Sequence, residues 1–322
     1  MGARVLSRPL FTVVALVGAL VVTTPAVLRA AEPLPLRIGT LPTEDALPLW
    51  AAEGRGFFAQ AGLRAEIVTL PSAQERDAAF ASRALDAFMG DLLAAAALES
   101  GGIPVSVVTV MLGSTPAEGR FGIVAAPGSP ARELRDLVGS KVGTSTGTIQ
   151  EYVLDGLLRA AGVEPGKVGV EEVKKVPVRF QLLMEGQLQA AALPEPLLSL
   201  AVAQGATLLA DDTSGANLSQ TVLVVSDAFL ATPDGAEAVR RLLGVWDQGA
   251  AAVNADPSAW RSTLVEKARL PEPLRTTYRV NHYPPHQLPA RAEVEAVLAW
   301  MGGKGLLRKP VAYEDLIRAP AE

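Results

Sequence analysis

Lys141-Val142-Gly143-Thr144-Ser145-Thr146-Gly147-Thr148 reads as a strand that turns directly into a helix. Residues 141–144 are the strand, Ser145 to Gly147 the turn, and 148–161 a helix stopped at Gly162. The same reading holds at Leu36-Arg37-Ile38-Gly39, a strand followed by a helix over 47–61 that stops at Gly62. Between and beyond them the alternation continues. Strands are expected at 65–70, 84–88 and 105–110, with helices at 73–81 and 91–98. The second series has strands at 168–173, 188–193 and 207–210, with helices at 178–184 and 196–203. Strands alternating with helices of this length indicate βαβ units and mostly parallel sheets.

The two series match. Gly39 and Gly143 are 104 residues apart, Gly62 and Gly162 are 100 apart, and Asp91 and Glu195 are 104 apart. Two similar α/β lobes are therefore expected. Lobe 1 is discontinuous, 31–124 plus 217–322, and lobe 2 is 125–216. The crossings are read at the breaker-rich stretch 121–130 and at 211–226, which ends in an apolar strand over 221–225. The chain then turns helical at 235–253, 257–268 and 293–301, a tail expected to return to lobe 1. Ligands of open parallel sheets bind at the carboxyl ends of the strands, so facing lobes define a cleft.

Composition narrows the function. The formal charge is −5, which argues against nucleic acid as a partner. There is no cysteine, so a disulfide scaffold, a thiolate nucleophile and a Cys-ligated metal are excluded. Two histidines cannot build a His-rich metal centre. Arg4 and Arg8 precede the apolar run 10–22, and Ala30-Ala31 follows after small residues and a proline. This is the pattern of a secretory signal over 1–30, cleaved after Ala30 or after Ala26. The run is shorter than the roughly 20 residues of a membrane span. No later stretch reaches that length, and a periplasmic location is expected.

Several short stretches carry a resemblance. They are Leu47-Pro48-Leu49-Trp50-Ala51-Ala52-Glu53, Gly56-Phe57-Phe58 with Ala61-Gly62-Leu63, and Leu85-Asp86-Ala87-Phe88-Met89-Gly90-Asp91. To these add Leu134-Arg135-Asp136-Leu137-Val138-Gly139-Ser140-Lys141-Val142-Gly143 and Gly186-Gln187-Leu188-Gln189-Ala190. In this order and spacing they resemble the substrate-binding proteins of bacterial ABC importers of the nitrate, sulfonate and taurine type. That superfamily also takes in binders of thiamine-precursor pyrimidines. Two departures stand out: Ser140 is inserted, and Gln189 replaces an acid. The resemblance implies a two-lobe periplasmic-binding-protein-like type II fold, each lobe a mostly parallel sheet flanked by helices. It implies a monomeric receptor for a small molecule, closing about a hinge and docking on a permease in the inner membrane. Neither catalysis nor a cofactor is implied. Pyrimidine synthases of the superfamily carry a cysteine cluster, which is lacking here.

The cleft candidates follow from strand ends. Thr43 and Asp45 follow the first strand and serve either as helix caps or as ligand contacts. Gly90 permits close backbone approach, and Asp91 is either a cap or a receptor for a ligand amine. Ser145, Thr146 and Thr148 stand at a helix N-terminus and serve either as ordinary caps or, with the free N–H groups there, as a site for an anion or polar group. Glu195 lies between Pro194 and Pro196, placed to face across the cleft, and Arg179 is either a further anion partner or a surface arginine. The acids favour an amine or a pyrimidine-like donor, while the hydroxyl loop and Arg179 favour an anion. The alternative is a secreted serine hydrolase, because residues 143–147 match G-x-S-x-G and His282 or His286 follows.

Overall fold

The computed structural model describes residues 1–2, 32–118 and 120–317. The signal sequence expected over 1–30 lies outside the described residues, its first two apart. The chain divides into Met1–Glu32 and Pro33–Glu322. Every regular element of the described residues belongs to the second unit. No helix among the described residues is long and apolar enough to cross a membrane.

The chain builds the first sheet from β1 (Leu34–Thr40), β2 (Leu63–Thr69), β3 (Ala87–Asp91) and β4 (Val105–Leu112). Around these run α1 (Leu47–Gly54), α2 (Phe57–Gln60), α3 (Ala73–Ala81) and α4 (Leu92–Ser100). The single helix expected over 47–61 is broken, because Gly56 takes a left-handed φ of 71° that ends α1 before α2 begins.

The second sheet contains β5 (Phe121–Ala125), β6 (Lys141–Thr144), β7 (Gly169–Glu172), β8 (Ala190–Pro194) and β9 (Thr207–Asp211). Its helices are α5 (Ile149–Ala160), α6 (Val176–Met184) and α7 (Leu197–Ala203). The stretch 121–130, expected as a crossing, thus opens with a strand that pairs antiparallel with β8 from Phe121↔Pro194 onward. Five apolar or small residues precede the breakers Pro127, Gly128 and Pro130, and they pair before the chain turns. The crossing itself is 113–120.

The chain returns through 212–220 to β10 (Thr221–Ser226), followed by α8 (Asp227–Leu230), α9 (Pro233–Ala255), α10 (Arg261–Lys267), α11 (Arg291–Gly303) and α12 (Tyr313–Leu316). The segment read as one helix over 257–268 is a 3-10 turn, Pro257–Trp260, followed by α10.

Strand orders are β2-β1-β3-β10-β4 and β7-β6-β8-β5-β9. Each sheet has three parallel strands, then one antiparallel strand, then an edge strand. β10 of the first sheet thus corresponds to β5 of the second. The repeat extends to packing. A Cβ on Gly39 would meet Leu85 Cδ1 at 2.5 Å, and one on Gly143 would meet Leu188 Cδ1 at 2.6 Å. Side chains of a strand point alternately to its two faces, and helices cover both. On β10, Leu223 and Val225 join a core with Trp50 and Trp246 beneath α1 and α9. Val222 and Val224 join another with Phe88, α4 and α11. On β8, Ala190 and Ala192 face α5, whereas Ala191 and Leu193 face α6 and α7.

Candidate functional site

The carboxyl ends of β1, β6 and β7 concentrate buried polar atoms that lack a partner. These are Thr43 Oγ1, Glu44 Oε2, Thr144 Oγ1, and Arg179 Nε and Nη2. Two more, Asp212 Oδ2 and Gln220 Oε1, lie in the returning crossing. Buried polar groups are nearly always hydrogen-bonded, so such a group needs an explanation.

Arg179 is the extreme case. It sits in the first turn of α6 and is fully buried, at 0% exposure. Its stem passes the face of β6 left open by Gly143, whose added Cβ would stand 3.4 Å from Arg179 Cγ. Nη1 donates to the Val173 carbonyl at 2.8 Å, and the remaining two nitrogens donate to nothing. Burial lowers its pKa to about 10, only partly offset by Glu172.

The hydroxyl loop beside it is occupied from within. Thr146 donates through N–H and Oγ1 to Glu172 Oε2 at 2.9 and 2.7 Å. Gly147 N–H donates to Glu151 Oε2 at 2.6 Å. Thr148 Oγ1 turns back to the Ser145 carbonyl at 2.7 Å, and its side chain forms no cap bond. Two N–H groups expected to receive an anion therefore already hold carboxylates of the same chain. Ser145 is buried and lies beside Glu172.

In the first sheet's loop, Asp45 Oδ1 accepts from Thr221 Oγ1 at 2.6 Å. Thr43 precedes a 3-10 turn but makes no cap bond. Glu44 between them is 8% exposed. Tyr283 donates to its main-chain carbonyl at 2.8 Å, and Tyr278 and Asn281 lie beside its carboxyl. Burial pushes that carboxyl well above the usual range, and the charges of Asp45 and Glu195 add to the shift. Tyr278 feels both Glu44 and Glu195, so this corner brings the loops after β1 and β8 together.

Glu195 is paired within its own half. It accepts from Ser199 Oγ at 2.8 Å and from Arg120 Nη1 at 3.1 Å, and Arg120 also reaches Asp211 at 2.9 Å. Burial still raises its carboxyl. Asp91 caps α4, accepting from Ala94 N–H at 2.8 Å, with Arg76 nearby. Gly90 makes room for side chains: a Cβ there would lie 2.6 Å from the Phe88 ring.

The structure thus gathers Ser145, Thr146 and Arg179 around Glu172, and Glu44 with Glu195 around Tyr278. It ties Asp45 to Thr221 and Asp91 to α4. Glu44, Thr144 and Tyr278 were not singled out as site residues. Glu44 looks like a solvated loop acid and Thr144 like a strand end, and nothing local marks Tyr278.

The serine-hydrolase geometry is not assembled. His282 pairs with Glu118 at 3.5 Å, and His286 Nδ1 lies 2.6 Å from Asp247. Both are well exposed and paired to acids, whereas Ser145 is buried. Among the described residues no group of His, Asp and Glu could hold a metal.

Comparison with known proteins fits this architecture. The family model described as NMT1/THI5 like matches residues 43–259. The periplasmic aliphatic sulphonate binding protein SsuA of Escherichia coli superposes with a TM-score of 0.75 at 19% identity, over 90% of this chain and 94% of that one. The alkanesulfonate-binding protein SsuA of Xanthomonas axonopodis pv. citri, bound to MOPS, gives 0.72 at 22%, over 90% and 100%. The desulfurization enzyme DSZB gives 0.66 at 17%, over 88% and 96%. At these identities the likeness is one of fold. No curated protein matches the chain in sequence.

Proposed function

Because the chain belongs to the NMT1/THI5-like family, we propose that it is a periplasmic receptor that closes on a small organic anion and presents it to an ABC importer permease. The observation that carries the anion is Arg179, a buried guanidinium with two unpartnered nitrogens at a strand's carboxyl end. A buried, unpaired cation is costly, and an oxyanion from the ligand supplies both its counter-charge and its missing acceptors. A sulfonate or a carboxylate meets that need, as does nitrate. Thr144 Oγ1 is a further donor on the same side. Thr43 and Glu44 line the side contributed by the first sheet and read the polar groups of the rest of the ligand.

The two sheets, each with its own helices, move as lobes, with the crossings around 113–118 and 212–220 as the hinge. Closure follows from tighter binding by the closed state, in which both sides reach the ligand at once. The receptor performs no chemistry and needs no cofactor, and it acts as a monomer.

The test is thermal unfolding of ligand-stripped protein against methanesulfonate, taurine, nitrate, benzoate, an aminopyrimidine and a polyamine. A ligand at 100 times its Kd adds about 2.7 kcal/mol. A rise in Tm with an anion that disappears in Arg179→Met supports the reading. A rise with the polyamine or aminopyrimidine alone, unaffected by that substitution, overturns it.

A further inference from the structure

α3 and α6 are equivalent helices of the two halves. Each has nine residues, and each buries its fourth and eighth positions: Arg76 and Phe80 in α3, Arg179 and Leu183 in α6. One buried arginine therefore corresponds to the other, 103 residues on. Their hydrogen bonds differ in one respect. Arg76 Nη1 donates to the Met89 carbonyl at 2.9 Å, while Nε and Nη2 both donate to Asp77 Oδ1 at 2.9 and 2.7 Å. Arg179 Nη1 likewise donates to a carbonyl, that of Val173, but its Nε and Nη2 are bare. At the position of Asp77, α6 carries Phe180. The two nitrogens that a carboxylate oxygen takes in the first half are the two left open in the second.

We propose that Asp77 is a built-in anion that closes a second oxyanion subsite on Arg76, leaving Arg179, of these two equivalent arginines, with its guanidinium edge open to the ligand. The proposal rests on the reading of Arg179 as the anion receptor and adds the selectivity: the ligand brings one anionic group, not two. The chemistry is that of the guanidinium edge, whose parallel N–H donors match carboxylate, sulfonate, sulfate or nitrate oxygens. Arg76 is buried to 3% side-chain exposure, whereas the Asp77 side chain is 37% exposed. A small oxyanion can therefore reach the Arg76 edge from solvent once Asp77 is shortened. The Phe88 ring, 4.7 Å from Arg76 Cζ, and the Met89 carbonyl keep the guanidinium in place.

Two variants test this. Asp77→Ala should gain a saturable rise in Tm with sodium sulfate, measured against sodium chloride at equal ionic strength. The parent and the double variant Arg76→Met/Asp77→Ala, in which only the Arg179 edge can take sulfate, should lack this added rise over the parent response. Phe180→Asp should place a carboxylate on Arg179 and lower methanesulfonate affinity at least a hundredfold. A folded Asp77→Ala that responds to sulfate as the parent does overturns the proposal, and that arm decides alone if Phe180→Asp fails to fold. A folded Phe180→Asp with parental methanesulfonate affinity also overturns it. The receptor reading fails separately, when Arg179→Met binds methanesulfonate as the parent does.

Discussion

Replacing Arg179 by methionine should strengthen the ligand-free protein while destroying its binding. The stem that passes Gly143 is kept, and the charge and the two bare nitrogens are removed. Burial lowers the guanidinium from its ordinary value to about 10. At 1.36 kcal/mol per pKa unit that is a penalty of about 3 kcal/mol. The sign follows from linkage. A base depressed in the folded state holds fewer protons there than in the unfolded chain between about 10 and the ordinary value of the group. The penalty is therefore complete below pH 10, including neutral pH, and is relieved only in strong alkali. Losing the bond to the Val173 carbonyl returns about 1 kcal/mol. The net gain of about 2 kcal/mol should raise Tm by about 4 °C at the lower end of 2–4 °C per kcal/mol. Affinity for an anionic ligand should fall about thirtyfold or more, since losing one partner of a buried charge pair costs about 2–5 kcal/mol. Calorimetry on stripped protein, with titration of methanesulfonate, reads both. A variant less stable than the parent would mean that Arg179 holds the fold together and is not kept for a ligand.

Three further outcomes follow from other parts of the fold. Burial raises Asp212 from 3.8 to about 6, so the folded state binds the extra proton between these values and stability falls as pH rises through them. The loss, about 3 kcal/mol in total, should be absent in Asp212→Asn when urea midpoints are compared at pH 4 and pH 7. Lys304 ties α11 to α5, with Glu151 Oε1 at 2.6 Å and Asp155 Oδ2 at 3.0 Å. Lys304→Met leaves the buried Glu151 without its cation and Asp155 with Arg159 alone at 3.7 Å, and should cost about 2 kcal/mol, discounted because Lys304 is partly exposed. A Cβ on Gly249 would stand 2.2 Å from the Pro48 carbonyl, where α9 crosses α1. Gly249→Ala should cost about 3 kcal/mol by forcing the helices apart, and an unchanged Tm would contradict the close crossing.

The alternation of elements was legible because both periodicities are strong and Gly62 and Gly162 mark helix ends. The extent of β3 was not: Gly90 and Asp91 look like loop residues, yet they pair with β10 across the sheet. β5 was missed because Pro127 and Gly128 dominate the reading of a short run whose pairing partner lies some 70 residues on. At the site, Arg179 stood out as a candidate by charge alone, but its burial depends on Gly143 and Val173 from two other elements. Lysines and arginines are rarely buried, so a surface role is the default from sequence. The hydroxyl loop shows the converse. Its N–H groups suggest an anion, and only the folded chain reveals that Glu151 and Glu172 already hold two of them.

The position of β10 has a consequence for how the molecule is made. β10 lies between β3 and β4, and β4 pairs with no other strand. The first sheet therefore stays split after Leu112 has been synthesised, until Ser226 has followed. At about 5–20 residues per second a ribosome needs on the order of ten seconds to cover that interval. The second sheet is complete in sequence by Asp211 and can form meanwhile. Throughout the delay β4, buried along its whole length in the finished protein, has exposed edges. Under the periplasmic role proposed above, such a delay serves export, since an incomplete first sheet leaves the chain open to a holdase and unfolded enough to be threaded.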